Sequence, residues 1–426
     1  MSFICRIRAL KVKTNDAFKG IFSYAHLAQN CSGYLEVSMS SIFFLPWVRT
    51  INPQEFGRIH FLPYGRGSEP GNLGEITQAT LDKIIGNYAD HANYPASDLG
   101  VSVKQATIVH WIDDDANLNI TEEEISRRML FAEWLTMSAL SARRFGSHSH
   151  YCNSDGVTLI GQSFEPENAG AVLFSTRRRD GNSNIMLSAD RTRPYFLRPI
   201  HVASSLVVEF DFQLLAALTQ IKDLDLKNRI FDSVELFNQA NTDASEVSQA
   251  AEMVMMRAAF ETLLDASHKT ADLVKEFTNH FSADLSLPVW HGGTFDENTW
   301  RTRWTNGSSI KRPLDAWVND FCNARNDSAH GSSSASKYPP SVWSIHNHLM
   351  FTSWLFPLMV KGVLAKHGEY VLSDADRDCR ADFEKFFSED ISARTTETPQ
   401  ESFWMKILSE IEAPEFCRVL SKLDGS

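Results

Sequence analysis

The chain has 426 residues, 43% of them apolar and 22% charged, which excludes a chain disordered throughout and predicts a packed core. Its length suggests two to three domains. A formal net charge of -12 excludes a uniformly basic nucleic-acid binder, because affinity for phosphates comes from Lys and Arg. The first residues, MSFICRIRALKVK, lack the apolar stretch of a secretory signal, and no leader is expected. The N-terminal part reads as short strands and turns. Candidate strands are Ile4–Val12, Tyr34–Ser38, Val103–Trp111 and Ala171–Arg177, with a hairpin turn at Asp180-Gly181-Asn182-Ser183 before Ile185–Leu187. Helical spacing interrupts them near Ile76–Tyr88 and Glu122–Arg144.

From about Leu206 the spacing becomes helical. It predicts helices over Leu214–Leu224, Asn228–Ala240, Ser245–Asp265, Ala271–Phe281, Leu314–Ala329 and Val342–Leu364. The apolar run Leu349–Val360 is broken by Thr352 and Ser353 and stopped by Lys361; it is too short to span a bilayer and reads as a buried helix. The fold class expected is therefore α+β. A β-rich mixed domain over 1–204 precedes a helical domain over 205–426. No membrane association is expected.

Charge is unevenly distributed. Residues 369–426 carry a net -7, whereas six arginines against Asp180 and Asp190 give Arg177–Arg198 a net +4. Arg177, Arg178 and Arg179 end a strand beside a hairpin turn; they are either a solvated basic tip or a surface that binds RNA or phosphate. The six cysteines are scattered without a CxxC pair, which fits reduced thiols in a cytoplasmic protein.

Three other patterns carry less. The acidic stretch from Asp113 to Glu124 places acids or amides like an EF-hand loop, but Leu118 stands where the sharp turn needs glycine. It reads either as a calcium loop or as an acidic loop in which Thr121 caps the next helix with Glu124. His148, His150 and Cys152 have no second ligand pair nearby. His346-Asn347-His348 spells HNH on a helix, where residues two apart face different ways. No metal site and no cofactor are expected.

The stretch CNARNDSAHG, Cys322–Gly331, carries the chemistry. On a helical wheel Leu314, Trp317, Val318, Phe321 and Cys322 share one arc, and Arg325 falls inside it. A guanidinium in an apolar stripe has to meet an acid, a phosphate or a wet seam. His330 lies about 140° further round if the helix stays regular. Gly331 is a natural residue to end the helix, and a loosened last turn lets the imidazole swing. An arginine and a titratable histidine without metal ligands suit phosphodiester chemistry. Histidine moves the proton of a 2′-OH or of the leaving oxygen, and arginine stabilises charge on the phosphorane.

Residues 205–370 resemble the HEPN superfamily, in its Apea-like branch. The family signature is Arg, a polar residue, a short spacer and His; here it is Arg325-Asn326-Asp327-Ser328-Ala329-His330, followed by Gly331. The upstream helix MVMMRAAFETLLDAS, Met253–Ser267, is similar to the family's AFE-L helix. The resemblance implies an up-and-down helical bundle and a metal-independent endoribonuclease, with Arg325, Asn326 and His330 in the site and RNA as substrate. It implies a homodimer in which two Arg–His pairs share a cleft, so that the apolar stripe borders the dimer seam. Apea-like proteins are associated with bacterial defence against phage, and by analogy the N-terminal part senses a phage-derived trigger. Other HEPN proteins are non-catalytic dimerisation or binding modules. Glu261 forms an i,i+4 pair with Arg257; it is either a surface salt bridge or the acid that orients Arg325.

Overall fold

The computed structural model describes residues 40–67, 73, 76–91, 101–112, 122–142, 153–165, 168–178, 181–187, 196–199, 201–202, 206–281, 313–330 and 345–385. The candidate strands Ile4–Val12 and Tyr34–Ser38 lie outside them. The elements are those of an α+β chain, strands in the N-terminal part and helices in the C-terminal part. Two compact units divide it, Met1–Met129 with Leu159–Ile200 and Leu130–Thr158 with His201–Ser426. The second unit thus takes in a stretch, Leu130–Thr158, that precedes the sequence-derived cut at residue 205.

The first unit is built on strands β1 (Ser40–Leu45), β2 (Val48–Arg49), β3 (Gln54–Phe56), β4 (Ile59–Gly65), β5 (Tyr88–His91), β6 (Val101–Ser102), β7 (Gln105–Trp111), β8 (Ile160–Glu165), β9 (Asn168–Arg178), β10 (Gly181–Leu187) and β11 (Phe196–Leu197). Seven of them form an antiparallel sheet in the order β10-β9-β8-β1-β7-β4-β3. The central strand β1, SSIFFL, is buried along its whole length, so its apolar Ile42–Leu45 run shows no alternation. Pro63 of β4 falls past the end of β3, whose register stops at Phe61, so its missing N–H interrupts no ladder on that side among the described residues. Arg178 pairs with Gly181, leaving two residues between β9 and β10. Strand β10 thus begins at Gly181, inside the expected turn Asp180–Ser183.

Helix α1 (Gln78–Ile85) is capped by Thr77 and buries Leu81, Ile84 and Ile85. The start of helix α2 (Glu122–Ser141) adds Arg128, whose guanidinium lies 4.4 Å from the Trp111 ring centre and 5.1 Å from that of Phe43. Its Nε donates to Glu124 at 2.9 Å, so the buried charge is both paired and stacked. Phe43 faces Gly161 across the sheet. A Cβ there would come within 2.8 Å of the Phe43 ring.

The second unit is helical. It contains the short strand β12 (Leu206–Val207), then α3 (Phe212–Gln220), α4 (Leu224–Ala240), α5 (Gln249–Leu263), α6 (Thr270–Thr278), α7 (Pro313–His330), α8 (Ile345–Lys366) and α9 (Asp374–Lys385). The N-caps are the residue types that supply a side-chain oxygen to orphan amides: Asp211, Asp223 and Ser248 accept from Leu214, Leu226 and Ala251. Aromatic rings join the helices. Phe237 of α4 stacks on Phe356 of α8 at 4.3 Å, and Phe260 of α5 touches Phe277, Phe321 and Phe356. Trp317 of α7 meets Phe277 of α6 and Phe351 of α8.

Helix α8 runs for 22 residues, longer than its apolar run suggests, and reaches a mean hydropathy of 1.3. By length and composition it could cross a membrane, but 83% of that window is buried inside the chain, as in a core helix. Its Lys361 is itself buried and binds Asp211 at 2.7 Å and Asp376 at 2.5 Å. Burial works against this ammonium, yet the two carboxylates outweigh it and raise the pKa.

Candidate active site

The arc that the wheel assigns to α7 is the buried one: Leu314, Trp317, Val318, Phe321 and Cys322 are all inside the core. Trp317 and Phe321 pack on the chain's own α5, α6 and α8 through ring contacts. The stripe is therefore covered within one chain, with Trp317 and Phe321 fully buried.

One turn further on, the same face meets α5. Packing of Phe321 against Phe260 (5.9 Å between ring centres) brings Asn326 to Arg257, which is one turn before Phe260. Arg257 is 4% exposed. Its Nε donates to Glu261 Oε1 at 2.8 Å, its Nη2 to the His268 carbonyl at 2.8 Å and its Nη1 to Asn326 Oδ1 at 3.3 Å. The same amide oxygen accepts from Nη1 of Arg325, also at 3.3 Å. One acceptor thus holds two guanidiniums.

The two arginines differ in what they have left to give. Arg257 commits all three nitrogens to protein acceptors. Arg325 is half-buried, makes no ion pair among the described residues, and keeps donors of its fork for an incoming anion. It also stands near the C-terminal end of α7, where the helix dipole favours a cation. Glu261 does not reach Arg325; it binds Arg257, two contacts away. Cys322 lies beneath the pair as a buried thiol. Burial pushes its pKa up, against the pull of Arg257, a hydrogen bond with Thr270 and Arg325. It is thus no thiolate nucleophile at neutral pH.

Helix α7 continues to His330, so its Cα sits about 140° round the axis from that of Arg325. The side chain of His330 and the whole of Gly331 lie outside the described residues.

Arg177 and Arg178 are the last two residues of β9, but their side chains, and all of Arg179, are also outside. So are the acidic loop at 113–121 and the stretch from His148 to Cys152. Of the HNH triplet, His346 is exposed and His348 is fully buried, bonded to Asp320 of α7 at 3.0 Å and lying beside the stacked rings of Trp317 and Phe321. The two histidines face opposite environments, and His348 is a core residue. No group of three metal-ligating side chains exists among the described residues.

The sequence reading missed the role of Arg257, which it treated only as a partner of Glu261. Asn326 lies 69 residues away in the chain, and no local pattern announces that contact. No protein-family model, curated protein or solved structure matches the chain.

Proposed function

We propose that the chain is a metal-independent endoribonuclease of HEPN type. The observation that carries this reading is the Arg325 guanidinium, held by Asn326 at the end of α7 and partly open to solvent, with His330 closing the same helix. In this reading His330 moves the proton and Arg325 stabilises the charge on the phosphorane. The 2′-oxygen of the RNA attacks its own phosphorus and the bond to the 5′-oxygen breaks. The leaving oxygen takes a proton, so the 5′ fragment ends in a 2′,3′-cyclic phosphate.

Purified wild type, Arg325→Ala and His330→Ala incubated with total RNA in EDTA test it. Cleavage by wild type and its loss in both variants is the expected result, by on the order of 10²-fold or more for each. Equal products from all three remove the catalytic assignment.

The homodimer, the part in anti-phage defence and a phage-derived trigger rest on the family resemblance alone, and the cytoplasmic location on the scattered cysteines. For the dimer, light scattering at micromolar concentration is the check, and a monomer that still cleaves RNA removes it. The angular separation of Arg325 and His330 on a regular helix favours a second reading, a non-catalytic HEPN module that binds RNA or protein. RNA binding without cleavage by wild type selects it.

A further inference from the structure

We infer that Arg257 is a positioning residue for the proposed cleavage: it fixes the Asn326 amide, and Asn326 in turn fixes the Arg325 guanidinium. This rests on the endoribonuclease reading above and adds the group that sets the geometry of its electrostatic element.

Three observations carry it. First, Arg257 is almost wholly buried and each of its three nitrogens is held, by Glu261, the His268 carbonyl and Asn326. At 4% exposed, it has no open face for a substrate. A buried guanidinium held at three points is rigid, since its plane and the direction of its stem are both determined. Second, Asn326 Oδ1 accepts from Arg257 and Arg325 at the same distance, 3.3 Å. With Arg257 fixed on α5, the amide cannot turn its oxygen away without leaving a buried donor unsatisfied. Third, Arg325 has no acid to hold it among the described residues. The Asn326 oxygen is the one described anchor of an otherwise long and mobile side chain.

The arrangement also explains an arginine where a lysine would carry the same charge. Lysine has a single nitrogen and cannot meet acceptors on a side chain one turn along, on the chain that follows α5 and on another helix at once. Glu261 enters as the counter-charge of Arg257. It lets two guanidiniums approach one oxygen without a net charge of two.

The test compares wild type, Arg257→Lys, Asn326→Leu, Asn326→Asp, Arg325→Ala and the double variant Arg257→Lys/Arg325→Ala. The measurements are single-turnover RNA cleavage in EDTA, RNA affinity and cooperative melting. Misplacing a reacting group by about 1 Å costs on the order of 10²-fold in rate. Arg257→Lys should lose about that much in the rate of the chemical step, with RNA affinity changed far less. In the Arg325→Ala background the same substitution should cost nothing further, a result that a merely structural role does not give. Asn326→Leu removes the shared oxygen and should match Arg257→Lys. Asn326→Asp keeps an oxygen in place and should retain cleavage.

Should Arg257→Lys fail to melt cooperatively, Asn326→Leu decides, since it leaves the bonds of Arg257 to Glu261 and His268 in place. A wild-type rate in a folded Arg257→Lys or Asn326→Leu, or a full second loss in the double variant, overturns the inference while the endoribonuclease reading stands. Absence of His330-dependent cleavage by wild type overturns both.

Discussion

At the scale of residues, the second unit depends on a few buried polar groups. Arg257, Lys361, His348 and Glu252 are each buried, and the first three are paired. Glu252 of α5 is the exception: its carboxyl makes no hydrogen bond or ion pair among the described residues. Burial, with Asp243 and Asp155 nearby, pushes its carboxyl up to about 7 from an ordinary 4.5. The sign follows from proton counting. Between these two values the folded chain keeps a proton on Glu252 that the unfolded chain has released, so stability falls as pH rises through that window. Below it both states are protonated and stability is undiminished; above it the charged form is buried and the penalty is complete. Urea melts at pH 5 and pH 8 should show Glu252→Gln free of a destabilisation on the order of 2 kcal/mol that wild type suffers. Identical pH dependence in the two proteins would dismiss the assignment. Arg325 was legible in the sequence, since its place in an apolar arc follows from helical periodicity. Its holder Asn326 was legible only as a polar neighbour, because the contact that gives it meaning comes from α5.

At the scale of elements, α7 is defined by burial on one face over its first three turns and by polar contacts in the turns that follow. Phe321 is the hinge between these parts, fully buried and touching Phe260, Trp317 and His348. Phe321→Ala is expected to cost about 3–5 kcal/mol in unfolding free energy. It should also abolish RNA cleavage, because α7 would lose its register on α5. A destabilisation below about 1 kcal/mol by denaturant titration, well short of what an emptied aromatic site costs, would mean that the ring cluster does not fix the helix.

Helix α9 was not foreseen, since its residues are mostly charged. The signal was present all the same: Ser373 and Asp376 exchange hydrogen bonds in a capping-box arrangement, and Phe383 anchors the helix on Phe351. Strand β1 was missed for a different reason. A short apolar run buried on both faces has no alternation to betray it.

At the scale of the whole molecule, the charge of -12 conceals a positive segment from Arg177 to Arg198. If this segment draws RNA, its contribution is long-range and must fade with salt, since the screening length is about 8 Å at physiological ionic strength. Replacing Arg177, Arg178 and Arg179 with Ser should flatten the salt dependence of RNA binding by about one log–log unit for each phosphate that no longer meets an arginine. Thermal stability should hardly change, because solvated charges at a hairpin contribute little. An unaltered affinity and salt slope in the triple variant would remove the RNA-drawing role; β9 is no edge strand for these arginines to protect, since it lies between β10 and β8.

The sequence by itself determined the order of strands before helices, the helical register of α7 and the placing of Arg325 on its buried side. Each of these depends on periodicity and local composition, which act over a few residues. Only the tertiary structure decided that the Trp317–Phe321 stripe is covered by the chain's own helices, that Glu261 serves Arg257 and not Arg325, and that Leu130–Thr158 belongs with the helical unit. Those outcomes depend on which side chains meet across tens of residues. Burial then makes the meeting binding, since a buried guanidinium or carboxyl has to find its partner wherever the fold supplies one.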